Sequence, residues 1–526
     1  MKYAGGSLKI GRGTIEYKDL PTTLEKLIER HARYRGDRRA VIFADQHLTW
    51  AQFGRRVNQV ANALQGRGIG KNDKVATALP NSLELLVTYW ATISIGAVLV
   101  PLSPLLKAAG MVNLLNNADV VLLLLTPELM NELEAHRDEI PGIESQNYIV
   151  VGGENGGYSG FIAGCPAGPP RHPELQQDDL FNIVYSSGTT GMPKGIMHSH
   201  LVRANYGSHF AASFRMTPES VVLHSGSIVF NGAFVTLMPS FFLGACYILH
   251  PHFEVETMIE TVRREKVTHI MMVPAQIIAL LQNPGFTPRN MRSLEMVLTL
   301  GAPLAESYKQ AFNEVAPGRF YELYGLTEGF VTILDRNDFD QQSGSVGCPP
   351  PCYEIRIVDE DGKDLEVGEI GEIVGRGPIL SSGYYRQPEL TRATFRDGWL
   401  YTGDLGYLDA NGYLYLSGRK KELIISGGIN VYPQDIETIA SAHEQVLEAA
   451  VFGVASARWG ETPVAAVQLR DGAVTDAHDL RTWINERVEA RFQKVADVII
   501  VNEMPRNVAG KILKNDLKEY YLANQK

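Results

Sequence analysis

The sequence predicts an α/β fold. A large N-terminal domain of α/β sheets spans 1–418 and ends in a small β-barrel-like subdomain at about 335–418. A small α+β C-terminal domain follows over 419–526. Three observations predict this. From residue 40 to 323, apolar runs of strand length alternate with segments of helical spacing, the pattern of a sheet with helical crossovers. From about Gly344, the hairpin-turn sequences Asp359-Glu360-Asp361-Gly362 and Asp409-Ala410-Asn411-Gly412 separate short alternating runs, which reads as antiparallel sheet. Near Gly418 the pattern shifts again, to a helix-and-strand unit of about a hundred residues, an ordinary domain size.

Taken in order, Thr22 and Glu25 have capping-box spacing, with Leu24, Leu27, Ile28 and Ala32 at helical intervals around them. A strand is expected over 40–44. Thr49 and Gln52 cap a second helix, with Phe53, Val57, Val60 and Leu64 on one face. The alternation continues with strands at 75–79, 97–100 and 120–125 and helices at 83–95 and 112–117. The Gly- and Pro-rich stretch 151–170 reads as a surface loop. A buried strand is expected at 180–184, then strands at 245–249, 269–273, 294–300 and 320–323, with helices at 254–266 and 274–281. In the last domain, helices are expected at 433–443 and 479–491, and strands at 448–452, 463–469 and 497–501.

Composition bounds the function. A chain of 526 residues is too long for one ordinary core, so two to four domains are expected. A net charge of −10 argues against nucleic acid as a main partner. The four cysteines, Cys165, Cys246, Cys348 and Cys352, form no dense framework or zinc-like set, as in a reduced cytoplasmic protein. Residues 1–19 lack the basic-then-apolar pattern of a signal peptide. Two stretches are long and poor in charge, 85–102 and 220–253. Glycines, prolines and polar residues interrupt both, so the first reads as a buried helix feeding a strand. The second reads as core plus the wall of an apolar pocket.

The chemistry centres on Tyr185-Ser186-Ser187-Gly188-Thr189-Thr190-Gly191-Met192-Pro193-Lys194-Gly195. Its glycines let the backbone approach a ligand, and hydroxyls and one lysine supply donors with no acid among them, which suits a polyphosphate. It is not a Walker loop, because Gly195 follows Lys194. Tyr321 to Gly329 (YELYGLTEG) follows a strand. There a tyrosine can stack on a base, a threonine can bond a phosphate and a glutamate can hold Mg²⁺. Gly301-Ala302-Pro303 lies at a strand end, where open α/β sheets take ligands. Asp404 sits in a turn and can accept two ribose hydroxyls. Each cluster alone also reads as an ordinary turn, and a lysine near a C-terminus is most often a surface charge.

Together and in order, SSGTTGMPKG, YGLTE, YTGD, GRKKELIISGGINVYP and PRNVAGKILK resemble the acyl-adenylate-forming superfamily, specifically the AMP-forming acyl-CoA synthetases, over about residues 22–517. The resemblance implies an acid–thiol ligase using ATP, Mg²⁺ and coenzyme A. Ser186, Ser187, Gly188, Thr189, Thr190, Gly191 and Lys194 would hold the phosphates. Gly301, Ala302, Pro303, Glu322, Tyr324 and Gly325 would surround the adenine side. Thr327 would contact the α-phosphate, Glu328 the Mg²⁺, and Asp404 and Arg419 the ribose. Lys511 would reach from the small domain to the carboxylate and α-phosphate. Lys421 matches the hinge, and Gly427 and Gly428 the loop that enters for the CoA step. These roles imply a mobile C-terminal domain, since Lys511 and the glycine loop cannot share the site.

By the same resemblance, the acyl pocket lies between 220–233, the Gly301 turn and 325–332. Phe230 falls where the family often has a gate, and Asn231 and Gly232 follow it. His224 and Ser225 are further candidates to face the substrate. No carboxylate stands ready for an α-amino group, which disfavours amino-acid activation. The small residues Gly301, Gly325 and Gly329 suggest an extended tunnel, for a medium- or long-chain fatty acid or an aryl acid. Expected partners are a small-molecule carboxylic acid, ATP and CoA, with no nucleic acid, no transmembrane segment, and a homodimer as the assembly to test. Two rival readings are adenylation with a carrier protein as acceptor, and a non-catalytic nucleotide- or fatty-acid-binding scaffold. No carrier domain is read after Lys526, and Lys194, Glu328 and Lys511 are intact.

Overall fold

A computed structural model describes residues 7–10, 13–16, 21–152, 157–186, 194–427, 429–488, 490–506 and 512–524. Two α/β sheets make up most of the large domain. The first has six strands in the order Lys194–Ser199, Leu180–Ser186, Val98–Pro101, Lys74–Ala78, Val120–Leu125 and Tyr148–Val150. It is parallel except for the Lys194–Ser199 edge, which forms an antiparallel hairpin with Leu180–Ser186. The second has eight strands, running from Val331–Leu334 through Phe320–Gly325, Met296–Leu300, His269–Met272, Val221–His224, Cys246–Leu249 and Arg39–Phe43 to Gln46–Thr49. Its middle is parallel and both edges are antiparallel hairpins.

Of the helices predicted from apolar spacing, Trp50–Gly66 and Leu83–Ser94 pack in the core shared by both sheets, whereas Ala108–Asn117 packs on the first sheet and Val255–Glu265 and Pro274–Gln282 on the second, in separate cores. The helix Leu83–Ser94 is buried on nearly every side, which explains its lack of charge after Glu84. It feeds the buried strand Val98–Pro101, so the stretch 85–102 is core. The stretch 220–253 becomes a buried strand, the helix Asn231–Leu243 and a second buried strand. Among the described residues, no helix is long and apolar enough to cross a membrane.

Several expectations need correction. The helix after Thr22 starts at Leu27 with Lys26 at its cap and no side-chain cap. The amide of Leu24 instead donates to His200 Nδ1 at 3.1 Å, so tertiary contact takes the place of the capping box. The second capping box forms as read, with the Gln52 amide donating to the Thr49 hydroxyl and the Gln52 side chain accepting from the Thr49 amide. The loop 151–170 contains a short helix, Gly157–Ile162. The barrel-like portion is an antiparallel sheet of Glu354–Val358, Gly371–Arg376 and Trp399–Leu408, with Phe395–Arg396 and Leu414–Arg419 on the far edge. Its pairings among the described residues form an open path rather than a closed ring.

That sheet ends at Arg419, which pairs with Asp404. The second unit then builds its own sheet, Ile429–Val431, Ile424–Ser426, Gly460–Leu469 and Val446–Ser456, with Asp497–Val501 parallel to Gly460–Leu469. Its cores are separate from those of the large domain. The Thr49→Ala variant should lose about 1 kcal/mol from the large-domain unfolding transition, read by urea denaturation followed by circular dichroism.

Candidate active site

Strands Met296–Leu300 and Phe320–Gly325 are neighbours and parallel, with Leu300 opposite Leu323. The segments leaving their C-terminal ends, 301–303 and 325–329, therefore flank one crevice, the usual ligand position in open α/β sheets. Gly301 has φ +94°, and open space lies where a Cβ would project. Ala302 is half-buried and Pro303 exposed beside it. The Tyr324 hydroxyl donates to Asp404 Oδ2 at 2.8 Å, and Asp404 Oδ1 pairs with Arg419 Nε at 3.1 Å. Burial, reinforced by the Asp404 carboxylate, pushes the Tyr324 phenol well above its usual pKa, so it remains a donor. Three distant segments thus meet in one row, a phenol, a carboxylate and a guanidinium.

A second row forms beside it. Lys194 opposes Ser186 across the hairpin, so the ends of the phosphate-type loop are held together. The strand after it is clamped by 381–385: Tyr385 N donates to Gly195 O at 2.7 Å and Met197 N to Gly383 O at 3.0 Å. That docking places the Lys194 ammonium 5.5 Å from the centroid of the Tyr384 ring. The Tyr384 hydroxyl donates to Glu328 Oε1 at 2.8 Å, and Ser381 N donates to the Glu328 carbonyl at the same distance. The carbonyl of Thr327 accepts from His198 Nε2 at 2.8 Å. Lys194, Glu328 and Thr327, predicted separately, are brought together around Tyr384 and His198. Sequence reasoning missed both, because a tyrosine in Gly383-Tyr384-Tyr385 and a histidine in a strand carry no local signal.

Other expectations are corrected. Glu322 is 4% exposed, and its carboxylate is committed to an ion pair with buried Lys309, whose ammonium also donates to Ser343 O at 3.0 Å. Its side chain is not presented to the crevice. Burial raises its pKa, and Lys309 opposes that. At Gly325 and Gly329 the absent side chain leaves no room of its own. A Cβ on Gly325 would lie 2.6 Å from Phe330 O, and one on Gly329 2.0 Å from Ile379 O. Gly329 is buried against that backbone, whereas Gly325 is exposed, as is Gly301, where the Cβ position is open. His224 and Ser225 are buried at 0% and 2% exposure. His224 stacks on Tyr247 at 6.3 Å, and burial lowers its pKa to about 4, so it is neutral core rather than cleft lining.

Phe230 and Asn231 are half-buried at the start of the helix Asn231–Leu243. Gly232 abuts Leu300, where a Cβ would approach its Cδ1 to 3.0 Å, so this helix start borders the Gly301 turn. In the small domain, Gly427 has φ +62° and its amide donates to Trp459 O at 2.6 Å. Lys421 is exposed in the short turn Lys420–Glu422. Ser187, Gly188, Thr189, Thr190, Gly191, Gly428 and Lys511 lie outside the described residues, as does the side chain of Ser186. Among the described residues, no group of three or more His, Cys, Asp or Glu could hold a metal ion alone. The single carboxylate Glu328 fits a Mg²⁺ that arrives on a nucleotide, since phosphates and water complete its shell.

Comparison with known proteins matches the AMP-binding enzyme family over residues 28–385 and the AMP-binding enzyme C-terminal domain over 435–511. The chain is 30% identical over 505 residues to an indoleacetate–CoA ligase of Aromatoleum aromaticum, covering 94% of this chain and 98% of that protein. It is 31% identical over 488 residues to a long-chain-fatty-acid–CoA ligase of Mycobacterium tuberculosis, covering 91% and 94%. The crystal structure of ATP-bound MatB from Rhodopseudomonas palustris superposes with a TM-score of 0.87 at 32% identity, over 94% of this chain and 99% of that one.

The ion pair beneath the crevice is testable by stability alone. Lys309→Met should destabilise by about 3–5 kcal/mol, because it strands a buried carboxylate. The double variant Lys309→Met/Glu322→Leu should recover most of that loss in urea denaturation.

Proposed function

The chain belongs to the AMP-binding enzyme family, and from that premise we propose how its residues divide the work. It is an AMP-forming acid–thiol ligase: ATP and an aryl or fatty carboxylic acid give acyl-AMP and pyrophosphate, and the thiol of CoA then displaces AMP. A carboxylate is a poor acyl donor because its leaving group would be oxide, so adenylation supplies a better one. Carboxylate and α-phosphate are both anions. The protein must align them and neutralise the charge that builds between them.

In this reading Lys194 and the loop 186–191 hold the phosphates. Gly301, Ala302, Pro303 and Tyr324 border the adenine, and Asp404 with Arg419 takes the ribose. Thr327 meets the α-phosphate, and Lys511 delivers an ammonium from the small domain. Glu328 would hold a Mg²⁺ arriving on the nucleotide, which would supply further charge neutralisation. The observation that supports the assignment most is the convergence of the Lys194–Tyr384–Glu328 row and the Tyr324–Asp404–Arg419 row at one set of strand ends. A CoA thiol of pKa about 8.5 is already partly thiolate near neutrality, so no strong base is needed. The four free cysteines support a reducing, cytoplasmic setting.

The division into 1–418 and 419–526 places the pivot at Lys421, with Gly427 and Gly428 on the arm that serves the CoA step. Side-chain anchoring supports that pivot. Lys420 pairs with Glu372 of the large domain at 3.2 Å, whereas Glu422 pairs with Lys514 of the small domain at 2.9 Å. The residue between the two anchors is Lys421.

Pyrophosphate release over a panel of aryl and aliphatic acids, with CoA or a carrier protein as acceptor, tests the reaction. Acid-dependent release and thioester formation with CoA are expected, and no release with any acid overturns the reading. Lys511→Ala should lower acyl-AMP formation on the order of a hundredfold or more while sparing thioester formation from supplied acyl-AMP. Equal loss in both half-reactions would count against the assignment.

A further inference from the structure

Helix His200–Ser213 carries Arg203, a guanidinium with 0% exposure. Its Nε donates to Asn182 Oδ1 at 3.1 Å. Its Nη2 donates both to His198 Nδ1 at 3.1 Å and to Asn231 Oδ1 at 2.9 Å. The guanidinium carbon lies 4.6 Å from the Tyr206 ring centroid and 4.3 Å from that of Phe234. None of these partners is a carboxylate. A buried cation held only by neutral acceptors and ring faces is costly, and an aliphatic side chain would fill the space without that cost.

The directions of the hydrogen bonds give the arrangement a purpose. Arg203 can only donate, so Nδ1 of His198 must accept, and the ring proton therefore sits on Nε2. That N–H donates to the carbonyl of Thr327 at 2.8 Å. Burial, and next the Arg203 charge, hold the His198 pKa well below its usual value, so the ring stays neutral with this tautomer. On the other side, Asn231 accepts from Arg203, and its amide donates to the Tyr206 hydroxyl at 3.1 Å. Arg203 thus donates both ways, to Asn231 at the start of the helix bordering the Gly301 turn and to His198, which passes the link on to Thr327.

We propose that His198 and Arg203 are positioning residues for adenylation. They join the backbone of Thr327 and the side chain of Asn231 into one hydrogen-bonded unit, so that the turn facing the α-phosphate and the helix start facing the acyl group are set together. The proposal rests on the assignment of Thr327 given above and on the reading of 230–232 as the acyl side of the cleft. Misplacing a reacting group by about 1 Å can cost about a hundredfold in rate, so the relay acts on the chemical step more than on ATP affinity.

The full-length variants His198→Leu, His198→Gln, Arg203→Met and the double variant His198→Leu/Arg203→Met test this. Circular dichroism and thermal melts establish folding. Adenylation is read by pyrophosphate exchange, and the second half-reaction by thioester formation from supplied acyl-AMP. His198→Leu should lower kcat for adenylation by about ten- to a hundredfold, with KM for ATP within about threefold and the second half-reaction within about twofold. Glutamine can accept from Arg203 and donate to Thr327, so His198→Gln should recover most of the loss. The double variant should be no worse than His198→Leu alone, because residues acting in series are not additive. The relay is overturned if folded His198→Leu keeps adenylation within about twofold of the parent, if both half-reactions fall equally, or if His198→Gln is no better than His198→Leu. Should His198→Leu fail to fold, His198→Gln against Arg203→Met carries the test: loss of adenylation in Arg203→Met alone supports the relay, and no loss in either overturns it. A parent enzyme that forms no acyl-AMP would overturn the functional reading itself, a distinct result.

Discussion

The backbone pairing between strand Lys194–Ser199 and the segment 381–385 is the constraint on which the rest depends. It is made of main-chain hydrogen bonds, from Tyr385 N to Gly195 O and from Met197 N to Gly383 O, with an isolated bridge between Ile196 and Tyr384. Main-chain bonds of this kind fix register as well as proximity, because a one-residue slip would turn each side chain to the other face. Through them the approach to the antiparallel third sheet is fastened to the edge of the first. The Tyr384 ring is thereby placed against Lys194, and its hydroxyl reaches Glu328, on the loop between two strands of the second sheet. Three sheets contribute to one crevice through this edge contact together with the Tyr324–Asp404 and His198–Thr327 hydrogen bonds.

The joint between the two domains shows a graded arrangement of charges. The Lys420–Glu372 pair is partly exposed, and pairs of that kind contribute about 0–1 kcal/mol. Lys514 is held far more firmly, between Glu437 at 2.7 Å and Glu422 at 2.9 Å. Burial alone would lower its pKa, and the two carboxylates outweigh that and raise it. The small domain therefore grips its own end of the joint strongly while the large domain holds the other end weakly. Arg470 Nη2 adds a hydrogen bond to the Tyr308 hydroxyl across the domains at 3.0 Å. Among the described residues, the Lys420–Glu372 and Arg470–Tyr308 contacts that cross between the domains are of modest strength, which suits the proposed swing about Lys421.

The region around the Gly301 turn and 325–332 is shaped more by packing than by small residues. Gly325 and Gly329 are glycines because backbone passes where a side chain would be, and Gly329 also needs its φ of +113°. The segment before the helix Asn231–Leu243 is held by Asn81, whose amide donates to Gly226 O at 2.7 Å and His250 O at 2.9 Å and whose carbonyl accepts from Ile228 N. Free volume is left at the Gly301 turn, beside Leu300 and Gly232. Polar side chains reach this apolar region from behind, through Asn231 and the buried Arg203, a feature that the uncharged composition of 220–253 conceals.

The sequence by itself determined what is local. Apolar periodicity placed nine strands of the two α/β sheets and four of the helices around them within about two residues, but read no element at Lys194–Ser199, Val221–His224, Val331–Leu334, His200–Ser213 or Asn231–Leu243; the Thr49/Gln52 box and the two Asp-led hairpin turns formed as read, because each depends only on neighbours in the chain. The ordered motifs identified the family and pointed to Lys194, Thr327, Glu328, Asp404 and Arg419. Only the tertiary structure decided what depends on distant partners: Glu322 neutralised by Lys309, His224 turned into core, backbone standing where side chains at Gly325 and Gly329 would project, Tyr384 brought to Glu328, and His198 and Arg203 buried behind Thr327. His198 meets Thr327 across 129 residues and Tyr384 meets Glu328 across 56. No periodicity or turn chemistry encodes a contact over such separations, since it exists only once sheet order and register have brought the two strands' neighbours into reach.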